Sequence, residues 1–277
     1  MGREHVEFIQ SQQLPWSPAP WAHFAGADCK LLSRDVASGA ATALLRLDPG
    51  WRRDARGHHD AAEEWLVLEG AVDTGAGELA SDCYLSRPAR SNIGPLSSPA
   101  GATLLVLLDR EPRWHDGPGE GAAPCILDPF DMPWQHAGMD PVYGDAGLRW
   151  KLLRGAPGEA DMTMLVACPP HLHPPQWRGP QGRHDCVEEM FLISGDYLSN
   201  VGTMRAGAYF WRPPGIAHGP YGTRFGNLAL IRTLGAPLEN NWSRDEVEIS
   251  RDPPLAATVP TGLRHVTRSS GWQPPSF

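Results

Sequence analysis

His184 and Glu188 stand four residues apart in GRHDCVEEMFLISG, residues 182–195, and His218 closes GAYFWRPPGIAH, residues 207–218. In an extended strand, residues i, i+2 and i+4 project to one face, so this imidazole and carboxylate emerge together. The second piece reads as a strand, a tight Pro-Pro-Gly turn and a histidine just beyond it. If the two pieces pair, His184, Glu188 and His218 converge on one point. Two imidazoles and one carboxylate with open positions are the donor set of non-haem iron sites. Such a site needs neutral histidines and an ionised glutamate, so metal affinity should fall as pH drops through the histidine range. The plainer alternative is a buried histidine–carboxylate hydrogen-bond network.

These pieces resemble the two motifs of the cupin superfamily. The first motif runs His-x-His, three or four residues, Glu, six residues, Gly. His184, Glu188 and Gly195 fit it, Gly195 is read as the end of the strand, and Gly182 stands where the leading histidine belongs. The second runs Gly, five residues, Pro, x, Gly, two residues, His, and Gly207, Pro213, Gly215 and His218 match it. The spacing is similar to that of the zinc-binding cupin domain of ChrR-type anti-sigma factors and of related cupin dioxygenases. The resemblance implies one divalent metal ion in the later half of the chain, iron(II) first, with zinc, manganese or nickel as alternatives. It implies a dioxygenase acting on a small organic acid, phenol or diketone. A lyase, decarboxylase or isomerase using the metal as a Lewis acid is the second reading, and a non-catalytic metal or ligand sensor the third. Gly182 offers no ligand. Either His171 or His173, on a Pro-rich loop upstream, completes the shell, or three protein ligands leave positions free.

The elements that must hold these residues occur twice. Gly57-His58-His59-Asp60, Glu63-Glu64 and Gly70 precede Gly182-Arg183-His184-Asp185, Glu188-Glu189 and Gly195 by 125 residues. The same offset carries Tyr84 to Tyr209 and Pro88 to Pro213. Upstream the offset is a few residues smaller, which places an insertion in the second copy, around 171–175. Short apolar runs bounded by Gly, Pro, Asp or Ser, without helical periodicity, predict an all-β chain of two tandem cupin (jelly-roll) barrels. The expected division is 1–124 and 125–277, with Glu111 to Cys125 as a Gly- and Pro-rich linker. The tail beyond Leu234 shows one strand signal, EVEIS, and by analogy wraps across the other domain. Met190 and Leu192 share a face with Glu188, while Phe191 and Ile193 share the other, so both faces of this strand should be covered.

In the first copy His59 and Glu63 stand where His184 and Glu188 do, but the place of His218 is taken by Ile93. A degenerate site follows, its His59–Glu63 pair hydrogen-bonded and structural; a metal there would need His58 or another group to complete the shell. Around the second-copy site, Arg183, Trp211, Tyr209 and Trp177 are candidate substrate contacts, an arginine clamping a carboxylate or phenolate and aromatics stacking on a planar ring. The competing reading puts the aromatics in the core and Arg212 in a surface ion pair, since Arg87 repeats it in copy one.

The 277 residues suffice for two domains, and a net charge of -8 argues against nucleic-acid or anionic-membrane partners. A small-molecule substrate and a homodimer are the expected partners. Five scattered cysteines without a CxxC pair read as free thiols in the cytoplasm.

Overall fold

A computed structural model describes residues 2–136, 140–173, 176–249 and 258–266. The strands that position the candidate sites are, in chain order, β1 (Val6–Gln10), β2 (Asp28–Arg34), β3 (Ala41–Leu47), β4 (Glu63–Asp73), β5 (Tyr84–Arg87), β6 (Ala102–Leu108), β7 (Cys125–Leu127), β8 (Arg149–Arg154), β9 (Met162–Cys168), β10 (Val187–Ser199), β11 (Ala208–Arg212) and β12 (Asn227–Leu234). The chain is all-β and forms two compact units. The first comprises residues 14–132 with the extreme N-terminus, and the second comprises residues 4–13 and 133–276.

Both units carry the same antiparallel sheet. In the first its order is β7-β5-β4-β6-β3-β2, and in the second β1-β11-β10-β12-β9-β8. Strand β6 is buried at every position, AlaThrLeuLeuValLeuLeu, as a central strand covered on both faces must be. Its inward side chains join Phe24, Leu45, Trp65 and Ile93 in the core of the first unit. Each such fully buried aliphatic or aromatic side chain contributes on the order of 1.5–3 kcal/mol. In the second unit Phe8, Met190, Leu192, Phe210 and Ala229 pack together, and Trp150, Met162, Met164 and Val166 form a neighbouring cluster.

Several expectations change here. Residues 4–13 belong to the second unit, because β1 extends its sheet by pairing with β11, Val6 opposite Trp211 and Ile9 opposite Tyr209. The segment read as a linker is partly strand: Trp114–Asp116 pairs with Gly57–His59, and β7 begins at Cys125. Gly195 does not end its strand. It sits inside β10 at an irregular step, with φ of +80°, where a Cβ would come within 1.9 Å of the Gly226 carbonyl oxygen. Only glycine fits that left-handed position against a neighbouring backbone. The EVEIS signal is a short strand, Glu246–Glu248, paired with Arg178–Pro180 inside the second unit. The expected wrap of the tail falls largely on residues 250–257 and 267–277, outside the described residues.

Candidate metal centre

In the second unit, Glu188 is near the start of β10 and lies opposite Arg212, the last residue of β11. His184 stands on the bend leading into β10. His218 follows the Pro213-Pro214-Gly215 turn, whose Gly215 N–H donates to the His184 carbonyl (2.8 Å). Gly182 and His218 then exchange both backbone hydrogen bonds. Three backbone ties therefore fix the distance between the two histidines.

The His218 and His184 Nε2 atoms lie 3.4 and 3.9 Å from Glu188 Oε2. The imidazole rings are tilted at 49° with centroids 4.7 Å apart. His184 Nδ1 is 2.9 Å from the Glu239 carbonyl oxygen, and His218 Nδ1 is 2.9 Å from that of Ile216. A carbonyl only accepts, so each Nδ1 carries the hydrogen and each neutral ring presents an Nε2 lone pair to the centre. Carbonyls that hold the far nitrogen in this way are the usual support of metal-binding histidines. Burial, then the charge of Arg212, push the His218 imidazole down to about 4, against the pull of Glu188. Burial opposes ionisation of Glu188, yet Arg212 and both histidines hold its carboxyl down at about 2. Near neutral pH the His218 lone pair and a carboxylate thus face one another, and His184 turns its Nε2 to the same point. That donor set fits a divalent cation.

Arg212 is fully buried behind the site. It donates to Glu188 Oε2 through Nη1 (2.7 Å) and to both oxygens of Glu7 on β1, through Nε (2.8 Å) and Nη2 (2.6 Å). One guanidinium between two carboxylates leaves one negative charge, which a bound cation offsets. The three donors border a cavity of about 100 Å³. Its walls are mainly Leu148, Trp150, Met164, Val166, Ile231 and Leu238, with Tyr143, Asn240 and Asp140 as polar contributions. The Tyr143 hydroxyl donates to Asn240 Oδ1 (3.2 Å), and Asn240 Nδ2 donates to Asp140 Oδ2 (3.1 Å). Burial raises the Tyr143 phenol above its ordinary value, so it stays a donor.

The other sequence candidates fall elsewhere. His171 and His173 do not join the donor cluster, which among the described residues holds His184, Glu188 and His218. His173 stacks on Trp177, with ring centroids 3.7 Å apart at 7°, and its Nδ1 bonds to the Tyr221 carbonyl. His173 and Trp177 line a second cavity of about 70 Å³ that also touches His218 and Tyr221. Tyr209 and Trp211 are buried on the face of the sheet opposite Glu188: Trp211 is paired with Glu189, and the Tyr209 hydroxyl donates to Glu189 Oε1 (2.6 Å). Arg183 is exposed, and its backbone pairs with Asn241. None of these four lines the cavity beside Glu188. Arg212 sits in an ion-pair network. The vacant side of Gly182 faces Trp242 and Asn240, both within ordinary contact of a built Cβ. Glu7, Tyr143, Glu239 and Asn240 carried no motif, and Arg212, expected in a surface ion pair, is buried.

The first unit repeats the frame with different ligands. Ile93 does occupy the place of His218, exchanging backbone hydrogen bonds with Gly57 as His218 does with Gly182. His59 and Glu63 do stand as a pair, in ion-pair range. His59 Nε2 lies 3.4 Å from Glu63 Oε2, and His23 Nε2 is 3.2 Å from the same oxygen. Arg87 bonds the other oxygen, Oε1. Burial opposes ionisation of Glu63, but the Arg87 charge holds its carboxyl well below the usual range.

Two cupin-type units with a histidine–carboxylate cluster in each define a bicupin. The sequence pattern of the ChrR cupin-like domain matches residues 4–110 and again 123–235, and the chain belongs to that family. No curated protein matches it. In fold it is similar to a Nostoc punctiforme protein provisionally named a dioxygenase, with a TM-score of 0.73 and 18% identity over 90% of this chain and 92% of that one. It is also similar to Ylba of E. coli, with a TM-score of 0.58 and 13% identity over 85% and 94%. Bacillus subtilis oxalate decarboxylase, described with Mn(II) centres, gives 0.56 and 11% over 85% and 78%. At these identities the likeness carries the fold alone. No helix among the described residues is long and apolar enough to cross a membrane.

Proposed function

We propose that this protein is a metal-dependent oxidoreductase of the dioxygenase type, holding iron(II) in the second unit on His184, Glu188 and His218 and acting on a small, largely apolar organic substrate. One observation carries this reading: two imidazole Nε2 atoms, each ring held from behind by a carbonyl, converge with a carboxylate at the wall of a cavity. A ferrous ion bound there would supply the redox chemistry toward dioxygen that no side chain provides. The open fourth position at Gly182 favours an enzyme over a sensor with a closed metal shell.

The chain's own groups would do the rest. Leu148, Val166, Met164, Ile231 and Leu238 exclude water and pack an apolar body. Tyr143 and Asn240 orient a polar substituent from the rim. Among the described residues no Lys or Arg lines the cavity, and Arg212 is committed to Glu7 and Glu188. A second carboxylate, as in the oxalate of the decarboxylase neighbour, would meet Asp140 rather than a cation. A phenol or diketone with one metal-facing oxygen end suits the walls better.

The test is oxygen consumption by protein reconstituted anaerobically with Fe(II), across a panel of phenols, β-diketones and dicarboxylates. Uptake with a neutral substrate, lost in His218→Ala, supports the reading. Tight zinc binding with four protein ligands, and no uptake with any substrate, would overturn it.

A further inference from the structure

We propose that the first unit holds a second divalent cation, with His23 supplying the imidazole that Ile93 withholds, beside His59 and Glu63. His23 lies outside either motif, on the short 3-10 turn Ala22–Phe24. In the second unit the segment between the matching outer strands forms the short helix Pro141–Asp145, and its Tyr143 lines the metal cavity. The two units thus draw their second imidazole from different ends of one frame. The second takes it from the turn after the second motif, and the first from the segment before β2.

The donor atoms already have the right separations. Glu63 Oε2 lies 3.2 Å from His23 Nε2 and 3.4 Å from His59 Nε2. Ligands on one cation with bonds of about 2.1 Å stand roughly 3.0–3.4 Å apart. Arg87 takes Oε1 and leaves Oε2 turned to the rings, whereas in the second unit Arg212 and the rings address the same Oε2. His23, His59 and Glu63 are 0, 1 and 1% exposed.

One carboxylate oxygen, Glu63 Oε2, is the shared focus of both rings. His23 Nε2 is within hydrogen-bond distance of that oxygen, and His59 Nε2 stands in ion-pair range of it. A cation at the shared focus takes both Nε2 lone pairs and the free carboxylate oxygen. His23 Nδ1 and His59 Nδ1 lack the carbonyl anchors seen on His184 and His218, so this site should bind about 10–100-fold more weakly than the second.

The full-length protein, stripped by chelator and titrated with Co(II), tests this through visible absorption and metal content. Two unequal equivalents per chain are expected. His23→Gln, which keeps a hydrogen-bond donor for Glu63, should lose the weaker one, and His184→Ala/His218→Ala the tighter. A single wild-type equivalent that vanishes in the double variant overturns the proposal, as does His23→Gln with both. If His23→Gln does not fold, the double variant decides: one equivalent retained supports the site and none refutes it. Loss of only the His218-dependent equivalent from the expected pair would count against the proposed function while leaving this site in place.

Discussion

Glu7 and Arg212, 205 residues apart in sequence, form a two-pronged buried ion pair, with bonds of 2.8 and 2.6 Å. Through Arg212, the strand near the start of the chain reaches Glu188 in the metal cluster. Burial opposes the Glu7 charge, and Arg212 restores it, holding the carboxyl below its ordinary value. Glu7→Ala leaves a buried guanidinium with one carboxylate and should cost about 3–5 kcal/mol in urea unfolding of metal-free protein. Glu7→Gln should be milder in stability but should weaken the tighter metal site. Removing a unit charge roughly 10 Å from a cation, at an effective dielectric of about 20, amounts to about 1.5 kcal/mol, on the order of tenfold in affinity. Unchanged Co(II) affinity in Glu7→Gln would show that Arg212 merely braces the sheet.

The stability of metal-free protein should fall in two stages on acidification. His218 is depressed to about 4 by burial and Arg212, while in the unfolded chain it titrates near 6.5. Between those values the unfolded chain takes up a proton that the folded chain refuses, so stability drops as pH falls through that window. Glu188, held at about 2, adds a second loss as pH falls from about 4.5 toward 2. Urea midpoints measured from pH 7 to 3 should show the first stage flattened in His218→Asn. An identical slope in that variant would rule out His218 as its source.

The repeat and the two motifs were legible because they are local: four-residue and five-residue spacings on strands that pair with each other. The substitution of Ile93 for His218 was legible for the same reason, since one offset of 125 residues aligns both. His23 was not, because it sits on a three-residue turn outside either motif and its counterpart Tyr143 is a different residue type. Glu7 was hidden by pairing: β1 joins the sheet of the unit built mostly from residues 133–276, and no local pattern announces so distant a partner. Tyr209 and Trp211 were misplaced by parity. Glu188 faces Arg212, so Trp211 must turn to the other side with Glu189, and a one-residue error in register inverts a face.

The thiols offer an independent check on burial. All five cysteines are free, with Cys125 exposed and Cys29, Cys168 and Cys186 buried. Burial pushes the Cys29 and Cys168 thiols up to about 11 and Cys186 up to about 12. The thiolate is the reactive form, so at pH 8 iodoacetamide should label Cys125 well before those three in native protein. Peptide mass spectrometry over a time course reads this directly. Early labelling of Cys186 would mean that the bend carrying His184 opens readily, contrary to the tight backbone ties around the metal site.

The composition of the metal cavity predicts ligand selectivity. Met164, Val166, Leu148, Ile231 and Leu238 form its body, and Tyr143, Asn240 and Asp140 its polar edge. A neutral ring or short chain buries apolar surface there at about 25 cal/mol per Å², whereas an extra carboxylate enters without a cation to meet it. Phenol-type ligands should therefore raise the melting temperature of metal-loaded protein more than dicarboxylates of equal size. Tyr143→Phe removes the hydroxyl that bonds Asn240 and should weaken ligands bearing a second polar group by roughly 1 kcal/mol, sparing those without one. Val166→Arg should narrow or reverse the preference by placing a cation in the apolar wall. Stronger binding of a dicarboxylate to the unaltered protein would mean that the cavity walls do not select the substrate.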